Sequence, residues 1–135
     1  MSPKPSSSAG KPAPGSGPRK NLGARGEDAA AIWLARKGWQ IVERNWNCAL
    51  GELDIIARDG ETYVFVEVRT KSGREFGSGI ESVTPGKVKK LIRLAEAYVQ
   101  SGGIRDVPLR IDVIGVDEAP DGTYAFEHVP NVTGY

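Results

Sequence analysis

The dipeptide Asp59-Gly60 stands between two apolar-rich runs, residues 51–58 and 61–69. Asp-Gly in that setting is among the strongest short-range signals for a two-residue β-hairpin turn. With Asp59 and Gly60 as the loop, Arg58 faces Glu61, Asp54 lies opposite Phe65, and Glu52 lies opposite Glu67. Side chains alternate along a strand, and paired residues share a face. One face therefore receives Leu53, Ile55, Ala57, Thr62, Val64, Val66 and Val68, and this face must be core. The other receives Glu52, Asp54, Ile56, Tyr63, Phe65, Glu67 and Arg69. On it Asp54 and Glu67 are diagonal neighbours, roughly 7 Å apart or less at Cβ. Like charges that close destabilise a sheet unless something compensates. A divalent cation is one compensation, since Mg²⁺ or Mn²⁺ takes one or two carboxylates plus water and phosphate. A solvated face with Glu–Arg pairing across strands is another, and the pairing pattern alone leaves both open.

The remaining elements follow from capping and periodicity. Asn21 is an N-cap for a helix over 22–37, with Leu22, Ala29, Ala30, Trp33 and Leu34 as its apolar stripe and Gly38 as its stop. Residues 39–46 read as a strand, and the Gly- and Ser-rich stretch 70–83 as a loop. Thr84-Pro85 opens a second helix, and Val88, Leu91, Ile92, Ala95 and Val99 recur at helical spacing until Gly102-Gly103. Residues 108–116 and 123–129 read as two further strands. The order α-β-β-β-α-β-β implies an α/β fold, a mixed sheet with helices packed on it. The second helix permits a parallel crossover between the third and fourth strands.

The domain that carries these elements spans residues 21–135. Of the first 20 residues, 13 are Pro, Ser or Gly, and none is acidic. Such a segment buries too little apolar surface to offset its ordering entropy, and is expected to be a disordered basic tail. No apolar run reaches the roughly 20 residues of a membrane span, and no apolar stretch follows the N-terminal lysines as in a secretory signal. The single Cys48 excludes a disulfide framework or Cys-rich zinc site, and the single His128 excludes a histidine metal cluster. A cytoplasmic location is the expectation.

Charge is unevenly placed. Residues 69–93 hold seven basic and two acidic side chains, whereas 106–127 hold six acids against Arg110 alone. The basic stretch fits a polyanion footprint or a solvated helix face. Trp33 and Tyr98 are expected to pack, while Trp39 and Trp46 are open between packing and base stacking. Asp112 reads either as a partner for the basic side chains or as a polar residue on an outward face, with the second favoured, and His128 and Cys48 are given no chemical role.

Gly51-Glu52-Leu53-Asp54 followed by Val64-Phe65-Val66-Glu67-Val68-Arg69 resembles the active-site hairpin of the PD-(D/E)XK nuclease superfamily. More closely, the chain resembles the YraN-like family of bacterial proteins. Gly23 through Gly26-Glu27, Gly38, Ser82-Val83-Thr84 and Arg110-Ile111-Asp112-Val113 add to the match, which covers residues 21 to about 130. The resemblance implies a restriction-endonuclease-like fold and metal-assisted phosphodiester hydrolysis, acting on DNA of branched or other structured form. It makes Asp54 and Glu67 the ligands of Mg²⁺ or Mn²⁺. Glu27 would orient metal or water, although its place near a helix start also suits the helix dipole. Arg69 falls where the superfamily usually has lysine. Arginine stays protonated, so it can stabilise charge without activating water, and Lys71 is the substitute if the strand runs that far. A protein that binds nucleic acid without cutting it is the alternative. Lys87, Lys89, Lys90 and Arg93 would meet the nucleic-acid backbone. Nucleases of this fold often pair to cut two strands, so a homodimer is a further expectation.

Overall fold

A computed structural model describes residues 20–73 and 83–133. The tail, most of the Gly/Ser-rich loop with Arg74, Glu75 and Glu81, and Ser82 of the Ser-Val-Thr motif fall outside these residues.

The elements are α1 (Leu22–Arg36), β1 (Gln40–Cys48), β2 (Gly51–Asp59), β3 (Thr62–Ser72), α2 (Pro85–Gly102), β4 (Leu109–Glu118) and β5 (Tyr124–Val129). Both helices begin as their caps require. The Asn21 side chain accepts the Ala24 N–H at 2.8 Å, and Thr84 Oγ1 accepts the Lys87 N–H at 3.2 Å. Helix α2 ends on Gly103, whose φ of 66° is left-handed and suits glycine.

The five strands form one mixed sheet in the order β1-β2-β3-β4-β5. β3 and β4 run parallel, with α2 as the crossover, and the other neighbours are antiparallel. Alternation divides the core into two layers. Ile55, Ala57, Val64, Val66, Val68, Ile114 and Val116 pack with Ala30, Ala31 and Leu34 of α1. Ile56, Phe65 and Ile111 pack with Leu91, Leu94, Ala95 and Tyr98 of α2. Complete burial of a Leu, Ile or Phe side chain contributes about 1.5–3 kcal/mol, so each layer holds its helix firmly.

Three expectations about the hairpin need correction. The loop is Gly60-Glu61, and Asp59 pairs with Thr62 and Arg58 with Tyr63. Gly60, with φ of 65°, is the first loop residue, the position that a type II′ turn gives to glycine. The register is displaced by two residues from the sequence reading. A two-residue displacement preserves parity, so nearly every side chain keeps its face. Leu53 is the exception, since it packs in the α2 layer. The break lies at Asp54 and at Asn45, which has φ of 53° and stands between the Arg44–Ile55 and Trp46–Leu53 pairs. Finally, the second hairpin face is also core over Ile56 and Phe65. Only its far end, from Asp54 and Glu67 outward, is polar.

Candidate metal and phosphate site

At that far end the β2–β3 ladder stops at the Ile55–Val66 pair. The next step would set Asp54 against Glu67. Instead Asp54 turns its carboxylate into the ladder, and its Oδ2 accepts the Val68 N–H at 2.9 Å. The side chain thus takes the place of a strand carbonyl and is locked to β3 by a charge-assisted hydrogen bond.

The Asp54 carboxyl is pushed up to about 7, chiefly by burial and further by the charges of Glu67, Glu27 and Glu52, against the Val68 hydrogen bond. Three elements deliver those charges: α1 brings Glu27, β2 brings Glu52 and Asp54, and β3 brings Glu67. Glu67 is buried, with its side chain 7% exposed, and two cations meet its Oε2. Arg69 Nε lies at 3.1 Å and Lys87 Nζ, from the first turn of α2, at 3.6 Å. The guanidinium is close enough for an ion pair, but Nε lacks the alignment of a hydrogen bond.

Glu27 sits in α1 beyond the first turn, which holds no acid, so the dipole of the helix start does not explain it. Its Oε1 accepts from Asn45 Nδ2 at 2.9 Å, and Arg44 Nη2 stands 4.0 Å away. α1 reaches this position because it runs very close to β3. A Cβ built on Gly26 would come within 1.9 Å of Thr70 Oγ1 and 2.8 Å of Thr70 Cβ. Only glycine permits that approach. At the same end Arg25 holds Glu118 bidentately, at 2.7 and 2.9 Å, with the Tyr124 hydroxyl donating to the same carboxylate.

The basic residues separate into two groups. β3 extends to Ser72, as Lys71 required, but Lys71 Nζ lies 3.1 Å from Asp117 Oδ2. It is spent on a neighbouring strand. Lys87 faces Glu67, and Lys90 lies against Gly51, where a Cβ would meet its Cε at 3.0 Å. Lys89 lines a groove on the other flank of α2 with Val113 and Val132. Arg93 is exposed. Lys87 and Lys90 thus reach toward β3 and β2, and Lys89 lines the groove beside β4.

Asp112 is not on an outward face. It is fully buried and accepts from Arg110 Nε at 2.9 Å and Nη2 at 3.0 Å, and from the Asn131 N–H at 2.9 Å. His128 Nε2 lies 2.8 Å from it, and Lys37 Nζ lies 3.3 Å from His128 Nδ1. Because the lysine can only donate, Nδ1 accepts and Nε2–H donates to Asp112. The aromatics pack as well. Trp33 stacks on Phe126, Trp39 meets the His128 edge, and Trp46 and Phe65 meet Tyr98. Burial and Glu43, whose Oε1 accepts from the Tyr98 hydroxyl at 3.3 Å, push Tyr98 up to about 12.

Among the described residues, no three His, Cys, Asp or Glu side chains stand together as a ready metal cage. Asp54 and Glu67 provide two hard oxygen donors, the number Mg²⁺ takes from protein when water and phosphate complete its shell. Cys48 is exposed and His128 is committed to Asp112, so the donor chemistry fits a hard cation and not zinc. Among the described residues, no helix is long and apolar enough to cross a membrane.

The profile of uncharacterised protein family UPF0102 matches residues 26–116. The chain belongs to this family. A UPF0102 protein of Beutenbergia cavernae is 45% identical over 111 residues, covering 82% of this chain and 94% of the relative. A UPF0102 protein of Geobacter sulfurreducens is 42% identical over 117 residues, covering 87% and 91%. The matched span runs from Gly26 through the hairpin and α2 to Val116 in β4, so it holds each side chain of the candidate site. It is the family to which the sequence motifs pointed.

The pairing of Lys87 with Glu67 had a sequence signal. Lys87 shares a helical stripe with Leu91, Leu94 and Tyr98, at spacings of four, seven and eleven residues, and all three are buried. A lysine on the apolar stripe of a helix needs a buried partner, here Glu67.

Proposed function

We propose that this UPF0102 protein is a divalent-metal-dependent endonuclease that hydrolyses phosphodiester bonds of structured or branched DNA in the cytoplasm. The observation that carries this reading is the delivery of Glu27, Asp54 and Glu67 from α1, β2 and β3 to one end of the sheet, beside Arg69 and Lys87. A cluster of acids that destabilises the empty fold is what a cation-binding site looks like before its cation arrives.

Asp54 and Glu67 would hold Mg²⁺ or Mn²⁺. The bound ion supplies a polarised phosphoryl oxygen and a water of lowered pKa. Asp54 is already oriented by Val68, so binding costs little further ordering. Glu27, fixed by Asn45, orients water on the α1 side. Arg69 offsets charge that develops on the phosphate. Lys90 and Arg93 meet the nucleic-acid backbone, and the basic N-terminal residues add salt-dependent affinity. Two copies would cut two strands.

The test is incubation with Mn²⁺ or Mg²⁺ and a panel of single-stranded, duplex, flapped and four-way-junction DNA. Metal-dependent cleavage by the wild type, abolished in Glu67→Ala, is the expected result. Retardation of the same DNA on a gel without cleavage would favour the binding reading, in which Arg69 has replaced the activating lysine. Neither cleavage nor binding would reject both.

A further inference from the structure

The hairpin lacks a strand-borne lysine at the site. Arg69 is held at Glu67, and Lys71 lies on Asp117. One ammonium nevertheless reaches the carboxylates, from a different element. Lys87 stands in the first turn of α2, with its Nζ 3.6 Å from Glu67 Oε2. Its side chain is 29% exposed, whereas Lys89, Lys90 and Arg93 are exposed. The first turn of a helix is the place where its dipole disfavours a cation, and no acid in that turn compensates. Lys87 also lies on the stripe of Leu91, Leu94 and Tyr98, where a simple surface contact to nucleic acid has no reason to be. Two unfavourable placements are offset by one partner, Glu67, whose oxygen Arg69 already approaches.

Resting on the nuclease reading, we infer that Lys87 is the ammonium of the active site, supplied by α2 in place of the strand lysine. Its ammonium neutralises Glu67. When Glu67 takes the cation, Lys87 is released to donate to a phosphate oxygen at the bond to be cut. It therefore contributes to the rate of cleavage and not to nucleic-acid affinity. No proton transfer is assigned to it. Because it competes with the cation for Glu67, its removal also tightens cation binding.

The experiment compares wild type, Lys87→Met, Lys87→Arg and Arg105→Ala. Three quantities are read: Mn²⁺ affinity by calorimetry, DNA affinity with Ca²⁺ in place of Mn²⁺, and single-turnover cleavage. For Lys87→Met the cleavage rate falls about 10²–10³-fold, the loss typical of one stabilising donor. Its DNA affinity stays within about threefold, a small change on the affinity scale, and Mn²⁺ binds more tightly than to wild type. Arg105→Ala, at an exposed position with no part in the site, keeps the wild-type cleavage rate. Should Lys87→Met fail to fold, Lys87→Arg decides. It keeps the ion pair with Glu67 but not the compact ammonium, so a slowed rate at the wild-type melting temperature supports the inference and a wild-type rate overturns it. Cleavage at the wild-type rate by Lys87→Met, or weakened DNA binding as its only defect, overturns the inference while leaving the nuclease reading intact. A wild type that neither binds Mn²⁺ nor cuts any substrate overturns both.

Discussion

Asp112 and Asp54 are two acids in one sheet, and they are treated in opposite ways. Asp112 is fully buried and fully answered: a guanidinium fork, an imidazole N–H and a backbone N–H all point at it. Asp54 is half-buried and receives one backbone N–H, while Glu27, Glu52 and Glu67 press on it. A satisfied buried network stabilises a fold and fixes its geometry. An under-compensated one costs stability and persists where it serves something else. The contrast separates an acid that the fold answers with donors from one that it leaves pressed by like charges.

The largest effect expected from breaking the contrast is at the satisfied end. Asp112→Ala leaves Arg110 and His128 facing each other without their shared acceptor. Removing one partner of a buried charge pair costs about 3–5 kcal/mol, and urea unfolding should show a loss of that size. A loss below about 1 kcal/mol, the value of an exposed pair, would mean that the network is not what holds β4 to β5 and the chain end.

Gly26→Ala comes next. The new Cβ meets Thr70 at 1.9–2.8 Å, and a β-branched strand residue has little room to yield. Overpacking of this kind costs about 1–3 kcal/mol, and α1 must shift and carry Glu27 with it. Cleavage should fall further than stability. Adding Thr70→Ala should recover part of both, because it removes the two closest atoms. Full activity in Gly26→Ala would show that the position of Glu27 is not critical.

A smaller effect is the dependence of stability on pH. Asp54 titrates near 7 in the folded protein and near the ordinary aspartate value of about 3.9 when unfolded. Between those values the folded state binds the extra proton. Its contribution is therefore present below about pH 4 and is lost as pH rises through 7. Wild type should lose on the order of 2 kcal/mol relative to Asp54→Asn between pH 5 and 8, a figure that allows for solvent screening at a half-buried group. Parallel pH profiles for the two proteins would show that the carboxyl is not raised.

How much of this was legible in the sequence depended on range. Caps and helical stripes are local, and the Asn21 and Thr84 starts and the Gly103 stop could be read directly. The Asp59-Gly60 signal located the hairpin correctly but not its loop, because type I′ and II′ turns place glycine at different loop positions. The error was harmless to the faces because it was an even number of residues. Leu53 escaped because the break in alternation depends on Asn45, in another strand. Asp112 escaped for the same reason, since His128 and Asn131 follow it by 16 and 19 residues. Among the site residues, Asp54, Glu67 and Arg69 came from the hairpin itself. The stripe it shares with Leu91, Leu94 and Tyr98 marks Lys87 as needing a buried partner, but that the partner is Glu67 required knowing which face of α2 meets β3.

The central claim is that Asp54 is held in a strained acid cluster whose natural relief is a divalent cation. Thermal unfolding of wild type and Asp54→Asn at pH 8, each with and without Mn²⁺, tests it most directly. Asparagine keeps an acceptor for the Val68 N–H and removes only the charge. Without metal, the variant should melt higher than wild type. With Mn²⁺ at about 100 times its Kd, wild type should gain about 2.7 kcal/mol, and the variant should gain little or nothing. A variant that melts lower than wild type without metal, together with equal responses to Mn²⁺, would contradict the account.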